Sequence, residues 1–477
     1  MAILSRNARI HGVACWVSFT IYAILGTRQL VATFVAAKPE YLALSILVSG
    51  FFLLGVTQPK AALYGVCALA PALLGLDAIY VFTFGPSFDV ASSSVFLGIL
   101  ARLLAAQPDP IPERCLPSTS IALGALALIA GVSVISVLLR APVAPSNELW
   151  GIPRFGYDDP RFALNAAALL VGGISYIFLW IRLEQRDTLN SSLSTIFNAW
   201  LVQIVAFSLI QALVKLPSPF RGVGMSSPFQ DIHALGSVVV GLFTYFLCRA
   251  LQQSRAKWPV WLPVAVALTL SVVSYSRTTW LSAILVSIAA IFRYFSRKFL
   301  VGAVIIVSLV LLFASIGPAT KPGLAHAYGK RFWATINLNK LIGGDDLRRA
   351  QYGRAFRMIA THPLLGTGIG SFRRVSPNYT PANSPSPASR EFAHNIFLQI
   401  GAELGLVALS LYLFVLWQVG AQLRIIGKPA GFALFIYLVT QFTGNSLLIY
   451  SGQPILFGLL LASVRSLEKK DTNLASG

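Results

Sequence analysis

Apolar residues run through this chain in long blocks, and the short segments between the blocks hold most of the charged residues. A block of about 20 apolar residues is the length that a helix needs to cross a hydrocarbon core of about 30 Å. The pattern therefore predicts an all-α, polytopic integral membrane protein with about 12–14 transmembrane helices. The predicted spans are 12–36, 41–57, 61–83, 91–106, 119–139, 163–181, 193–214, 234–250, 258–275, 278–293, 299–317, 395–418, 430–449 and 454–466. Those at 91–106 and 454–466 are short enough to be re-entrant or interfacial.

The charges between the spans predict their orientation. Lysine and arginine concentrate in the cytoplasmic segments of membrane proteins. Every second connecting segment here is the more basic one, from Arg6 and Arg9 before the first span to Lys469 and Lys470 after the last. Both termini are therefore predicted to be cytoplasmic, and the first helix is expected to be retained because no small-residue cleavage site follows it. The chain divides into transmembrane helices at 1–317, an external loop at 318–394, C-terminal transmembrane helices at 395–466 and a cytoplasmic tail at 467–477.

Composition agrees with a membrane protein and limits its partners. Charged residues make up 11% of the chain, whereas soluble domains hold about 25%. The net charge is +20, but the basic residues are dispersed among membrane loops, so we expect no nucleic-acid partner. Membrane lipids and an anionic lipid-linked substrate are the expected partners instead. The four cysteines have neither metal-site nor disulfide spacing.

The predicted external loop departs from the charge rule. It holds 11 lysines and arginines against three acidic residues, Asp345, Asp346 and Glu391. Two interpretations stay open. Long loops cross the membrane regardless of their charge, or this loop forms an external basic surface that receives a polyanion.

Residues 346–360 within this loop have the periodicity of an amphipathic helix. Arg348 falls within its apolar face, so it is either a snorkelling side chain or a directed, functional arginine; we take the second interpretation. Arg349, Arg354 and Arg357 fall outside that face and are expected at a solvated or headgroup-facing rim. The apolar face is predicted to hold Leu347, Tyr352, Ala355, Phe356, Met358 and Ile359.

Two irregular segments follow that helix. Pro363 ends it, and alternate glycines from Gly366 to Gly370 predict a tight turn packed on the membrane surface. The strand–turn–helix setting of a dinucleotide-binding loop is missing, and His362 is expected to be structural. Residues 376–390 are rich in proline and serine, which predicts an irregular segment: either a mobile flap that admits a bulky substrate or a linker.

A histidine and three polar residues open the next span. His394 precedes it, and Asn395, Gln399 and Glu403 follow at i, i+4 and i+8, which places these three on one helical stripe. Polar groups inside a membrane helix are expensive unless they are paired, so they indicate function. Histidine titrates near neutrality and suits a general base. We interpret the stripe as support that orients the helix behind His394.

Two further arginines lie at or inside predicted spans. Arg277 joins two spans at the predicted external face with almost no loop, and its guanidinium fork suits phosphate oxygens. Snorkelling is the alternative for this residue. Arg28, about two turns inside the first span, is a supporting candidate that pairs with a carbonyl group or with Glu403.

Metal ligation is not expected. Asp158–Asp159 and Asp345–Asp346 are external acidic pairs, but adjacent residues point in different directions. Neither pair has a histidine or a further carboxylate at ligand spacing. We therefore expect neither a metal nor any other cofactor.

Three motifs in order resemble the O-antigen ligase and O-antigen polymerase superfamily, over about residues 260–415. Tyr352 stands where that family often has tryptophan. The motifs are Ser276-Arg277, then Arg348 ahead of His362-Pro363-Leu364-Leu365-Gly366-Thr367-Gly368, then Ala393-His394-Asn395 with Glu403-Leu404-Gly405.

The resemblance implies a multi-pass glycosyltransferase of the bacterial inner membrane whose active site faces the periplasm. Such enzymes take a glycan from an undecaprenyl-diphosphate carrier. Ligases attach it to lipid A-core, polymerases to another repeat unit, and related enzymes to protein. By position, Arg277 and Arg348 would bind the diphosphate, and His394 would be the catalytic base of an inverting, metal-independent transfer.

Alternative functions stay open beside the ligase. A polymerase would use the same site with another acceptor. A flippase or exporter of lipid-linked glycans would also fit many spans and external arginines, although transporters usually show internal repeats and midplane binding sites. We see no repeat here, and the arginines gather at one face.

Overall fold

In a computed structural model of the chain, every regular element among the described residues is a helix, so the predicted all-α class is confirmed. Predicted spans 299–317 and 454–466 lie outside the described residues, as do residues 318–345 of the external loop. The described residues are 2–36, 41–79, 87–105, 117–140, 156, 158–183, 186–213, 232–253, 258–274, 276–294, 346–380, 391–422 and 429–441. The helices are α1 (Ala2–Ala36), α2 (Tyr41–Thr57), α3 (Pro59–Ala68), α4 (Ala70–Ile79), α5 (Ser87–Ala105), α6 (Pro117–Arg140), α7 (Phe162–Leu183), α8 (Arg186–Leu213), α9 (Ile232–Gln252), α10 (Trp258–Val273), α11 (Arg277–Tyr294), α12 (Asp346–Thr361), α13 (Phe372–Val375), the 3₁₀ helix η1 (Ser376–Tyr379), α14 (Ile396–Gln422) and α15 (Pro429–Gln441).

Seven helices in the described part of the chain are long and apolar enough to cross a membrane, which makes this a multi-pass membrane protein by length and composition. Large apolar side chains on their outer faces are exposed, as lipid contact requires; Leu139 and Leu213 are both 81% exposed. Three shorter apolar helices accompany them, at Ser45–Thr57, Trp258–Val273 and Thr278–Ile288. The seven spans are Ile10–Ala36, Phe88–Ala105, Ser118–Arg140, Phe162–Leu183, Ser192–Gln211, His233–Gln252 and Ile396–Gln418.

Within the predicted span 61–83, the chain forms two helices, α3 and α4, that are separated at Leu69. Pro71 explains the break, since proline lacks an N–H and its ring crowds the preceding turn. Gln203 of α8 replaces the lost helical bond. Its side-chain amide donates to the Ala68 carbonyl (2.7 Å) and accepts from the Ala72 N–H (2.8 Å).

Polar contacts fix α1 against α6 and α7. His11 Nδ1 lies 2.7 Å from Ser120 Oγ of α6, and Ser18 Oγ lies 2.9 Å from Ser175 Oγ of α7. All four side chains are buried. Hydrogen bonds between such groups orient helices that apolar packing alone would leave free to rotate.

Candidate active site

The long helix α14 is broken at Gly405, which has φ +80° and ψ 177°. A break in a helix leaves backbone groups without helical partners. Here those groups bind the segment 363–368, whose alternate glycines form the predicted tight turn. Thr367 N–H donates to the Ala402 carbonyl (2.9 Å), Gly368 N–H donates to the Glu403 carbonyl (2.8 Å), and Leu406 N–H donates to the Pro363 carbonyl (2.7 Å).

The glycines of this glycine turn (residues 363–370) are required by conformation and by space. Gly366, Gly368 and Gly370 have φ of +64°, +111° and +69°, a region that other residues rarely adopt. A Cβ atom at Gly366 would overlap the Glu403 carbonyl. The turn packs on the break in α14, and its place at the membrane surface stays a prediction.

The Glu403 side chain completes this attachment. It is fully buried, and its carboxylate accepts hydrogen bonds from the N–H groups of Gly370 (2.8 Å) and Phe372 (3.0 Å). Gln399 Nε2 adds a third at 3.2 Å. Glu403 therefore ties the end of the glycine turn and the start of α13 to α14.

Asn395 departs from the predicted stripe. Its side chain is half-buried, and Asn395 Oδ1 accepts from the N–H groups of Phe397 (3.0 Å) and Leu398 (3.1 Å). Asparagine in this position caps the first turn of a helix. Helical spacing placed Asn395 beside Gln399 and Glu403, but α14 begins at Ile396, so only the latter two share a buried stripe.

His394 stands directly before this cap with φ +51°. Its ring is 30% exposed, and Nε2 lies 3.5 Å from Glu391 Oε2. The same oxygen accepts a hydrogen bond of 2.9 Å from Gln351 Nε2 of α12. The sequence pattern did not single out Glu391 or Gln351. The i, i+3 spacing from Glu391 to His394 was a visible signal, whereas nothing in the sequence connected Gln351 to this histidine.

The helix α12 confirms the predicted helical segment, but the predicted side-chain orientation was wrong for Arg354 and Phe356. Arg354 is fully buried and Phe356 is 60% exposed, the reverse of the expectation. The inward face follows the i, i+3, i+4, i+7 row of Gln351, Arg354, Ala355 and Met358. Burial lowers the pKa of Arg354. The apolar residues of this helix form a broad arc, and only one edge of that arc is buried by tertiary packing.

Arg348 is half-buried at the edge of this face, while Arg349 and Arg357 are exposed, as expected for rim positions. Arg348 lies one turn before Gln351, and residues at i and i+3 lie side by side on a helix, about 5–6 Å apart at Cβ. Arg348 is thereby adjacent to the side chain that reaches Glu391 and, through it, His394.

Arg277 is the first residue of α11, and the position of its side chain lies outside what the structure describes. The residue before it, Ser276, is buried, and its Oγ lies 3.2 Å from His233 Nδ1 of α9. A Cβ atom on Gly236 would overlap Thr279 Oγ1. The turn that carries Arg277 is therefore closely packed against α9.

Arg28 is buried, with 5% exposure, and donates from Nη1 to the amide oxygens of Gln29 (3.2 Å) and Asn165 (3.3 Å). Its suggested partner Glu403 binds the glycine turn instead. Arg28 thus joins α1 to the start of α7.

The acidic pair Asp158–Asp159 binds arginines. Arg161 contacts the Asp159 carboxylate through two nitrogens, at 2.9 and 2.7 Å, and Arg373 Nε lies 3.4 Å from Asp158 Oδ1. The Arg161 hydrogen bonds, with help from the charge of Arg374, hold the pKa of Asp159 below its ordinary value. These carboxylates are counter-ions that attach α13 to the start of α7. Within the described ranges, no group of three or more His, Cys, Asp or Glu residues could hold a metal ion.

The segment predicted to be irregular, 376–390, begins with the short helix η1, so that prediction was wrong for its first four residues. Residues 381–390 lie outside the described part. His362 is exposed, and its Nδ1 lies 3.0 Å from Thr361 Oγ1 and 3.3 Å from Tyr379 OH. These contacts connect the end of α12 to η1, in keeping with a structural histidine.

Comparison with known proteins identifies the region that carries this site. A family model described as O-antigen ligase (Wzy_C) matches residues 262–413. The match runs from α10 into α14 and includes Arg277, Arg348, the glycine turn and the segment from His394 to Glu403. A search of curated proteins found no match to the chain. The resemblance seen in the motifs is confirmed over this region: residues 262–413 match the O-antigen ligase family model.

Proposed function

We propose that the protein transfers a glycan from an undecaprenyl-diphosphate carrier to an acceptor hydroxyl at the periplasmic face of the bacterial inner membrane. In this proposal it is an O-antigen ligase, and the acceptor is lipid A-core. The family match supports membrane glycosyltransferase-like activity. That the protein is a ligase, and which donor and acceptor it uses, are our proposals beyond that match.

One observation carries the proposal: a hydrogen bond and an ion pair join α12, the helix that holds Arg348, to the histidine before α14. Arg348 neighbours Gln351 on the helix, Gln351 binds Glu391, and Glu391 contacts His394. Transfer from a diphosphate needs a base at the acceptor and positive charge at the leaving group. We assign the base to His394 and the positive charge to Arg348 and Arg277.

The chemistry follows from these two groups. His394 accepts the proton of the acceptor hydroxyl while that oxygen attacks the anomeric carbon. The bond from the anomeric carbon to the diphosphate oxygen breaks, and the diphosphate leaves with the electron pair. Arg348 and Arg277 stabilise the charge on the leaving diphosphate. A fixed guanidinium at a membrane face interacts more strongly with a phosphate than one in bulk water does. Attack from the opposite side inverts the anomeric configuration.

The first test replaces His394 with alanine in the producing cell, with Thr361→Ser on the exposed end of α12 as a control for expression. We expect a bare lipid A-core on lipopolysaccharide gels and polymer that remains on the lipid carrier. Unchanged long-chain lipopolysaccharide would overturn the assignment of His394. A core that bears a single repeat unit would identify a polymerase with the same site.

A second test concerns the metal. The purified protein is assayed for transfer before and after treatment with a chelating agent. The proposal expects the same rate, because the arginines neutralise the leaving group. A rate that falls on chelation and returns with a divalent cation would refute the metal-independent mechanism.

A further inference from the structure

Two side chains outside the family motifs lie next to His394: the Glu391 carboxylate contacts His394, and the Gln351 amide contacts Glu391. We infer that Glu391 is a positioning residue for His394 and that Gln351 holds Glu391 in place. The inference rests on the proposed function, because it needs His394 as the base. Glu391 Oε2 lies 3.5 Å from His394 Nε2 and 2.9 Å from Gln351 Nε2. One carboxylate oxygen therefore links α12 to the histidine that precedes α14.

Gln351 provides a fixed anchor. Its side chain is fully buried on the inward face of α12, next to Ala355 of the same buried row. Two acceptor oxygens cannot hydrogen-bond to each other, so the amide nitrogen is the atom that faces the carboxylate. A buried side chain has few rotamers available. Glu391 is 45% exposed and would otherwise move freely, so this contact restricts the place of its carboxylate.

The backbone of His394 is held on both sides. Ala393 is fully buried in an apolar cluster that also holds Ala402, and Asn395 caps α14. Between them, φ of +51° at His394 turns the chain so that Glu391 and His394 meet across three residues. A histidine in this left-handed conformation persists only when its surroundings enforce it. With the backbone fixed, the contact with Glu391 acts on the orientation of the imidazole ring.

A carboxylate beside the imidazole acts on the reaction more than on donor binding. When His394 accepts the acceptor proton, the ring becomes positive, and the Glu391 carboxylate stabilises that charge and holds the ring in one orientation. Glu391 is itself negative, so it does not attract a diphosphate. Its loss should therefore lower kcat without raising KM for the donor.

The experiment uses the full chain in proteoliposomes, with extracted undecaprenyl-diphosphate-linked O-antigen as donor and lipid A-core as acceptor. Glu391→Gln keeps an oxygen for Gln351 and removes only the charge, so the fold is retained. We expect kcat to fall by about tenfold or more and donor KM to stay unchanged. The fall in kcat should be smaller than the 10²–10⁴-fold that a general base itself contributes. A kcat within about twofold of wild type, or an effect on KM alone, would overturn the inference.

Gln351→Met tests the anchor separately, because it preserves side-chain length and burial while removing the hydrogen bond. We expect a smaller fall in kcat, and little further loss when it is combined with Glu391→Gln, since both act through one contact. Fully additive losses would show that Gln351 does not act through Glu391, against the inference.

The outcomes separate this inference from the proposed function. If the wild-type protein does not transfer glycan, or if His394→Ala transfers normally, the proposed function fails. If His394→Ala is inactive while Glu391→Gln is fully active, the proposed function stands and the positioning role of Glu391 fails.

Discussion

Replacing Glu403 should detach the glycine turn from α14. The carboxylate is buried and accepts from the N–H groups of Gly370 and Phe372 and from Gln399 Nε2. Glu403→Leu leaves these three donors without that acceptor. A buried donor that loses its partner costs about 1–3 kcal/mol.

The two backbone donors alone therefore amount to about 2–6 kcal/mol. Part of this loss in stability is offset, because Glu403→Leu also removes the unfavourable burial of a carboxylate. We expect Glu403→Leu to lower the free energy of unfolding by about 2–4 kcal/mol, out of about 5–15 kcal/mol for a typical protein. Glu403→Gln keeps one acceptor oxygen and should lose about half as much.

Two assays in detergent check this. Thermal unfolding reports the global loss, and tryptic cleavage after Arg373 and Arg374, both half-buried in α13, reports local opening of the segment. Ser410→Ala, on the exposed side of α14, is the matched control and should change stability by less than about 0.5 kcal/mol. Glu403→Leu with unchanged unfolding and unchanged cleavage would refute the reasoning.

Two other substitutions test the breaks in the membrane helices. Gln203→Met should leave the Ala68 carbonyl and the Ala72 N–H unpaired at the break between α3 and α4, at about 1–3 kcal/mol for each group, measured by thermal unfolding. Gly405→Ala should lower the free energy of unfolding by about 2–5 kcal/mol, because alanine is strained at φ +80° and its Cβ would overlap the Leu364 carbonyl. Glycan transfer by this variant should fall as well.

The controls for these two differ. Val202→Ala lies beside Gln203 but is 70% exposed, so it should leave the unfolding temperature almost unchanged. If Gln203→Met is equally harmless, the amide does not replace the helical bond. Leu406→Ala, next to the break and 42% exposed, is the control for Gly405→Ala. Equal stability of the two variants would argue against a conformational requirement for glycine.

The local sequence determined the helical class, the amphipathic helix 346–361, the glycine turn and the position of His394 before α14. Each of these depends on chemistry within about one or two turns of chain: apolar periodicity, a proline, glycines that permit positive φ. Such signals do not require knowledge of the rest of the molecule.

Tertiary structure alone decided which groups meet. Spacing shows that residues share a face of a helix, but not which neighbour covers that face, so Arg354 is buried where Phe356 was expected. In the same way, Gln351 and Glu391, 40 residues apart, share a hydrogen bond that no local pattern could reveal. Glu403 was predicted to be a buried polar group, but its partners, the N–H groups of Gly370 and Phe372, were visible only in the folded chain. A buried carboxylate needs hydrogen-bond donors, and the tertiary fold determines which donors lie within reach.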